Sequence, residues 1–376
     1  MRLLVVNWRD PKHPLSGGAE THIHNIATRL VRVYGHEVLF VSNSADGRIP
    51  SYEEYDGIRF IRFGNEYNFN FLVMGRLKKI VRRHDIDLVI EDVNKIPFYS
   101  PLYLRRPVML VIPHLFSETI YRQTNFAFGT YIYLAERLML PVYRNCHVHV
   151  ISNSTRDDLA RKGYRSGDIS VAECGIEQDI YRPGGEKAQR PTVCYTGRLK
   201  KYKSIDHLLY AASIVVKKIP DARFVLIGDG DYLKVLKSLT RKLNLQDHVE
   251  FPGFISVEDK VRLLQESHCL AYTSVKEGWG ISNIEANACG TTVVAADVDG
   301  LRDSVDNGRS GLLYRYGDIE DLAGKITSIL TDDRLRKKLE EGAVKWAGRF
   351  TWDNTAAAFN SILEKRYPEL YSGRRP

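Results

Sequence analysis

Long apolar runs are missing from this 376-residue chain. No stretch reaches the roughly 18 uncharged apolar residues that a membrane-spanning helix requires. Even YIYLAERLMLPVY, residues 131–143, is interrupted by Glu136 and Arg137. The opening MRLLVVNWRD meets Arg9 and Asp10 after too short an apolar run for a signal peptide, and it reads as a first strand. Cysteine is scarce: Cys146, Cys174, Cys194, Cys269 and Cys289 are scattered, with no C-x-x-C pair and no zinc-like spacing. A disulfide framework and a zinc site are both excluded by that pattern, and reduced cytoplasmic thiols are expected. The dinucleotide fingerprint is absent too, since GDGDYL, residues 228–233, has Leu233 where a third glycine would stand, and hydride-transfer chemistry loses its support. Neither an aromatic ribonucleoprotein motif nor zinc-finger spacing is present, so nucleic acid is not an expected partner.

What is present is an ordinary globular composition, 44% apolar and 27% charged, long enough for two domains. The net charge is +8, and one segment concentrates the excess: GRLKKIVRRHD, residues 75–85. With Leu77, Ile80 and Val81 at helical spacing, Arg76, Lys78, Lys79, Arg82 and Arg83 fall on the polar flanks of an amphipathic helix. Such a face, residues 76–83, reads first as a plain solvated face, and contact with anionic lipid at the inner side of a membrane is the alternative.

Short apolar runs alternate with amphipathic stretches throughout, the pattern of parallel sheets flanked by helices. RLLVVNW, EVLFVS, IRFIRF, DLVIEDV, PVMLVIPH and VHVISNS read as strands of a first domain, residues 1–182. The stretch YRPGGEKAQRP loses apolar residues and collects proline and glycine, which places a linker at 183–191. The pattern restarts with TVCYTGRL, RFVLIGDG, VEFPGF, HCLAYTS and TTVVAAD, separated by helices, for a second domain over 192–350. A last helix, 351–376, is expected to pack back toward the first domain. The fold class is α/β, two Rossmann-like doubly wound domains facing a central cleft. Such sheets bind ligands beyond the carboxyl ends of their strands, so chemistry is sought there.

After the first strand, Gly17 and Gly18 precede a helix, where backbone N–H groups and the helix dipole attract an anion; a plain turn is the alternative. In YTGRLKKYKSIDHLL, Arg198 and Lys203 leave a strand end together and suit a diphosphate. In EGWGISNIEANACGTTVVAADVDG, residues 277–300, Glu277 lies in a glycine-rich loop with Gly278 and Gly280, and Glu285 lies eight positions later on the helix that follows. That helix is expected to start near Ser282, an N-cap residue type. Two carboxylates at one helix mouth suit a ligand with several hydroxyls, and the amides of Trp279, Gly280, Ile281 and Ser282 suit phosphate. A nucleoside-diphosphate sugar carries all of these groups.

SGGAE, GRLKKYK, GDG, EGWGISNIEANACGTTVVAADVDG and GRSGLLY resemble, in order and spacing, the retaining glycosyltransferases of the GT-B fold, family four. The resemblance spans nearly the whole chain. It implies that Glu277 lies against the donor sugar, that Glu285 binds the ribose hydroxyls, and that Arg198 and Lys203 neutralise the leaving diphosphate. It further implies that Gly17 and Gly18 lie near the phosphates and the acceptor, and that His114, after a strand of the first domain, contacts the sugar. Ser204 stands where many relatives have glycine, and Gly290-Thr291-Thr292 where many read Gly-Thr-Pro. The base is expected near Gly253 and Phe254. No catalytic metal and no cofactor beyond the nucleotide-sugar co-substrate are expected; the DGD at 229–231 imitates the metal-binding pair of another glycosyltransferase fold, but arginine and lysine already meet the diphosphate charge. Acceptor contacts are expected from IPFYSPLY and NFAFGTYIYLAERLMLPVYR, with a lipid-linked or envelope glycan ahead of a soluble sugar. An epimerase, a phosphorylase and a non-catalytic nucleotide-binding module are the competing readings.

Overall fold

The computed structural model describes residues 1–94, 96–122 and 124–372, and the chain divides into two compact units. One is Met1–Gly175 together with the chain from Trp352 onward, and the other is Ile176–Thr351. The chain thus enters the second unit at Ile176, ahead of the proline- and glycine-rich stretch at 183–191. Ile176 donates its amide to the carbonyl of Phe350 at 3.1 Å and bridges Thr351, so the second unit begins and ends at one point.

The first unit is built on an eight-stranded sheet: β1 (Arg2–Val6), β2 (Glu37–Ser42), β3 (Tyr52–Tyr55), β4 (Ile58–Arg62), β5 (Leu88–Asp92), β6 (Val108–Ile112), β7 (His147–Val150) and β8 (Ile169–Val171). Their order is β3-β4-β2-β1-β5-β6-β7-β8, parallel except for the β3–β4 pair. Each of the six runs expected as strands overlaps one. The two additional strands, β3 and β8, lie at the sheet edges; YEEY alternates exposed and half-buried positions, so neither carries the continuous apolar run that marks a strand covered on both faces.

Four helices follow within this unit: α1 (Gly18–Arg32), α2 (Phe69–Arg83), α3 (Phe126–Tyr143) and α4 (Asn153–Arg161). Strand alternation feeds two cores. Leu4 and Val6 face one side, where α2 lays down Phe69, Val73, Leu77 and Val81 at four-residue spacing and α3 adds Met139 and Tyr143. Leu3 and Val5 face the other, against Ile23, Ile26, Ala27 and Leu30 of α1. Each such side chain contributes about 1.5–3 kcal/mol when fully buried.

The second unit holds β9 (Thr192–Thr196), β10 (Arg223–Ile227), β11 (Val249–Gly253), β12 (Cys269–Tyr272), β13 (Thr292–Ala296) and β14 (Gly311–Tyr314) in an all-parallel sheet of order β11-β10-β9-β12-β13-β14. Its helices are α5 (Ile205–Lys218), α6 (Leu233–Lys242), α7 (Val257–Glu266), α8 (Ile281–Ala288), α9 (Ile319–Thr331) and α10 (Asp333–Ala347). The chain then returns to the first unit as α11 (Trp352–Arg366), which packs on α1 and puts Phe359 and Leu363 into its core, followed by the short α12 (Pro368–Tyr371). No helix among the described residues is long and apolar enough to cross a membrane.

In the core under α1 and α11, His22 and His149 lie with their rings nearly parallel, centroids 5.8 Å apart. Phe359 meets the His149 ring edge-on and Trp352 lies beside His22. None of the four ring nitrogens has a protein hydrogen-bond partner. Burial lowers His22 to about 4; His149 is held well below the usual histidine range, first by burial and then by His22 and His147. A histidine depressed in the folded state leaves stability intact above its unfolded value of about 6.5 and removes it as pH falls toward the folded value. We expect His22 alone to withdraw about 2 kcal/mol between pH 7.5 and pH 5. Denaturant titrations at the two pH values would show this, and replacing both histidines by leucine should reduce the difference without abolishing it, since burial also lowers His147 and His268 to about 4; an unchanged pH dependence in that variant would assign it to other groups.

Candidate functional site

Of the second unit's candidate residues, Arg198, Lys203 and Glu277 lie in the loops where β9 and β12 end. β9 leads through Gly197 and Arg198 into a short 3-10 turn, Lys201–Lys203, and Ser204 then adopts a left-handed backbone, φ 49°, before α5. This explains why glycine suits that position: a side chain in the left-handed region is strained. Here the Ser204 hydroxyl is hydrogen-bonded to the Tyr316 hydroxyl at 2.9 Å, which offsets part of the cost.

That turn drives Lys203 inward. Its ammonium is buried, donates to the Tyr272 hydroxyl at 3.0 Å and is ion-paired with Glu277. Burial by itself would lower the lysine, but the charge of Glu277, aided by the surrounding tyrosines, outweighs it and holds Lys203 well above the usual range. The ammonium stays charged. Tyr272 in turn stacks on Tyr195, with centroids 5.5 Å apart. Arg198 remains exposed and donates to the Tyr202 hydroxyl at 3.4 Å, while the Lys203 ammonium lies 5.2 Å from the centre of the same Tyr202 ring. Tyr202 therefore stands next to both cations that the sequence had paired.

Glu277 is positioned from behind. Its amide donates to the Asp299 carbonyl at 3.2 Å, and Gly300, φ 80°, passes so close that an added Cβ would fall 2.2 Å from the Glu277 carbonyl oxygen. Only glycine fits there.

The helix after Glu277 starts two residues earlier than a cap at Ser282 would require. Gly280, left-handed at φ 98°, is the residue before the first turn, and Ile281 opens α8. Ser282 is not the cap: its hydroxyl is hydrogen-bonded to that of Thr196 at 3.1 Å, which ties α8 to the end of β9. Trp279 turns its ring into the interior against Phe350, 5.2 Å between centroids, leaving only backbone for a ligand. Gly278 continues the loop.

Glu285 lies on the second turn of α8, nearly buried, and accepts from the Lys260 ammonium of α7 at 2.9 Å. Lys260 also sits 4.8 Å above the Tyr181 ring, and Tyr181 is raised by burial and then by the charge of Glu285. Gly253 ends β11 in a left-handed conformation, φ 77°, and Phe254 beside it is 93% exposed, an aromatic face open to a flat ligand. In the DGD turn, Asp229 accepts the Gly230 amide at 2.7 Å and Asp231 pairs with Lys200 at 2.8 Å.

The remaining candidates belong to the first unit. Gly17 caps α1 in extended backbone, and Glu20 reaches back to accept its amide at 2.7 Å while also accepting from Asn94 at 2.7 Å. A carboxylate of the chain itself thus takes one of the amides that an anion would use. Gly18 is the first residue of α1. His114 follows β6, half-buried, with its ring 4.5 Å from that of Phe116.

Sequence reading missed Tyr181, Thr196, Tyr272, Lys260 and Gly300 as parts of this site. Only Gly300 carries a sequence signal, as a glycine next to Asp299 soon after a strand. The others act through neighbours brought in from separate elements.

Residues 16–179 match the family described as Glycosyltransferase Family 4, and residues 177–346 match Glycosyl transferases group 1. The D-inositol 3-phosphate glycosyltransferase 2 of Catenulispora acidiphila is 32% identical over 241 residues, covering 56% of this chain and 56% of that protein. The D-inositol 3-phosphate glycosyltransferase of Rhodococcus erythropolis is 32% identical over 246 residues, 60% of this chain and 56% of its own length. The chain spans little more than half the length of these relatives. Among solved structures, the sucrose-phosphate synthase of Thermosynechococcus elongatus shares the fold at a TM-score of 0.82 and 20% identity, over 98% of this chain and 99% of that one. Anabaena HepE in complex with UDP-glucose does so at 0.77 and 21%, over 97% and 100%. Two family matches that run end to end from residue 16 to residue 346, on two parallel-sheet α/β units, establish that the chain belongs to the GT-B glycosyltransferases of family 4.

Proposed function

We propose that the protein transfers a hexose from a nucleoside-diphosphate sugar to an acceptor hydroxyl with retention of anomeric configuration. The observation that carries this reading is the buried Lys203–Glu277 pair beside exposed Arg198 at the carboxyl ends of β9 and β12. A permanently charged ammonium and a guanidinium at one strand end suit a leaving diphosphate, whose charge grows as the sugar bond breaks. Glu277 offers carboxylate oxygens to sugar hydroxyls while staying paired. Glu285, oriented by Lys260, takes the ribose hydroxyls, and the exposed ring of Phe254 is a platform for the base. His114 and the Gly17-Gly18 turn serve the sugar and phosphate from the first unit. The departing phosphate oxygen accepts the acceptor's proton, so the protein contributes orientation and electrostatic stabilisation. The acceptor class is a glycan hydroxyl, lipid-linked in the leading reading. The UDP-glucose complex of the Anabaena neighbour and the inositol phosphate relatives nominate UDP-hexoses and inositol phosphates as first probes. Two cations at the strand end, Lys203 and Arg198, supply positive charge to the diphosphate and support a metal-independent reaction.

Transfer from a panel of nucleotide sugars, with product anomers assigned by NMR, tests the reading. Conversion of a nucleotide sugar into its epimer without acceptor would favour an epimerase instead. Activity should persist in excess chelator; loss that a divalent ion restores would overturn metal independence. Arg198→Ala should lower turnover at an unchanged melting temperature. Lys203→Ala should lower both, because breaking a buried pair costs about 3–5 kcal/mol; a Lys203→Ala enzyme with wild-type rate removes the lysine from the mechanism. Glu285→Ala should weaken nucleotide binding by about 1.5–3 kcal/mol, and Lys260→Met by less, since the carboxylate remains but swings free. Calorimetry with UDP reads both, and equal affinity in the Glu285 variant would take the ribose away from α8.

A further inference from the structure

The loop between β1 and α1 delivers Gly17 and Gly18 to the start of the helix, and apolar packing does not seat its second half. Leu15 is 52% exposed, and among the described residues 11–17 His13 alone has a buried side chain. Directed polar contacts hold the loop instead. At its base the buried Asp10 accepts from Arg62 of β4 at 2.6 Å, from the Ser42 hydroxyl at 2.6 Å and from the Lys12 amide at 2.9 Å. Arg62 ties the same point to the Pro50 carbonyl at 2.9 Å and to Glu53 at 3.0 Å. Arg9 pairs with Glu66 at 2.6 Å and donates to the Leu15 carbonyl at 2.9 Å.

His13 fixes the rest of the turn. Its Nδ1 accepts the Leu15 amide at 3.1 Å, and its carbonyl accepts the Ser16 amide at 2.9 Å, one residue before Gly17. Its Nε2 lies 3.2 Å from Oδ1 of Asn43, the residue after β2. Two other bonds set the orientation of Asn43: Oδ1 accepts the Ala45 amide at 2.9 Å, and Nδ2 donates to the Trp8 carbonyl. Nε2 must therefore donate while Nδ1 accepts, and one neutral tautomer, with its proton on Nε2, satisfies both ends. A second proton would put an N–H on Nδ1 facing the Leu15 N–H, and the turn would have to open. Both nitrogens are engaged, so neither is left to take a proton from a substrate.

We propose that neutral His13 is a positioning residue for the transfer reaction, holding the turn at 13–16 so that Gly17 and Gly18 meet the donor's phosphates in one orientation. The role rests on the assignment of the Gly17-Gly18 turn to those phosphates. The charged groups facing the imidazole are Arg9, Asp10 and Glu66, the last 3.8 Å from Nε2. Burial and then the Arg9 charge lower His13, against the opposing pull of Glu66, the Asn43 bond and Asp10. The ring is thus neutral at pH 7.5 and takes up its proton below the ordinary histidine value of about 6.5. Turnover is full above that value and falls as the proton binds.

Two readouts test this, the first independent of activity. In the full chain labelled with 15N at histidine and glycine, NMR should show the Nε2–H tautomer of His13 at pH 7.5, and the Gly17 and Gly18 amides should shift with the His13 titration. In His13→Asn, whose side-chain oxygen keeps an acceptor for the Leu15 amide and does not titrate, those shifts should vanish. An Nδ1–H tautomer, or glycine amides indifferent to His13, overturns the proposal. In transfer assays with the donor and acceptor that the nucleotide-sugar panel identifies, His13→Ala should lower kcat/KM about ten- to a hundredfold. His13→Asn should recover most of that rate at the wild-type melting temperature and lose less of it between pH 7.5 and 5.5. A wild-type rate in His13→Ala, or an unchanged acid loss in His13→Asn, overturns the role. Gly17→Val separates the two layers, because the extended Gly17 backbone accepts a side chain. Unchanged turnover in that variant would take the turn away from the phosphates, and this role with it. Lost turnover there, with wild-type rates in both His13 variants, would leave the turn at the phosphates and overturn the role of His13 alone.

Discussion

Two opposite charges withdrawn from water at the ends of β9 and β12 hold the second unit's site in one arrangement. Lys203 and Glu277 are 74 positions apart in the chain and come from loops after different strands. Each alone would be costly to bury, so neither loop can relax without stranding the other's charge. Tyr272 supplies a further acceptor to the ammonium, and the Asp299–Gly300 backbone closes on Glu277 from behind. The pair therefore determines where the loop before α8 runs, and through it where the α8 amides and Glu285 stand.

A second regularity concerns occupancy. The candidate carboxylates of each unit already have partners of the chain's own: in the second unit Glu277 has Lys203 and Glu285 has Lys260, and in the first Glu20 has the Gly17 amide and Asn94. A carboxylate oxygen has lone pairs for more than one donor, so a ligand's hydroxyls can share these groups without displacing their partners. The result is preorganisation. Side chains that would otherwise rotate in water are already oriented, and binding spends less on ordering them. Arg198 and Phe254, by contrast, remain exposed.

The first unit solves a different problem. Its parallel sheet is covered on both faces, and the α1 and α11 side is closed around Phe359, His22 and His149, with polar ring atoms left without protein partners. On the opposite side α2 and α3 bury one stripe each and leave apolar residues on the other. A helix normally separates the two kinds of residue by face; α3 does not.

Much of this was legible from the order of residues. Continuous apolar runs such as LVIED and VMLVI announce strands buried on both faces, and the spacing of Phe69, Val73, Leu77 and Val81 announces a helix, because backbone periodicity is local. The α/β class, the repeated sheet pattern, and Arg198, Lys203, Glu277 and Glu285 beside strand ends followed from that. What only the tertiary structure decided is which of those groups meet. Lys260 reaches Glu285 from α7, Tyr272 reaches Lys203 from β12, and Trp279 turns inward to Phe350 although its loop reads as part of the site. The start of α8 at Gly280 rather than Ser282 was decided the same way, since the Ser282 hydroxyl bonds to Thr196, 86 positions away in sequence. Local patterns set the elements, but a side chain's partner is chosen by packing between distant segments, and spacing along the chain carries no record of it.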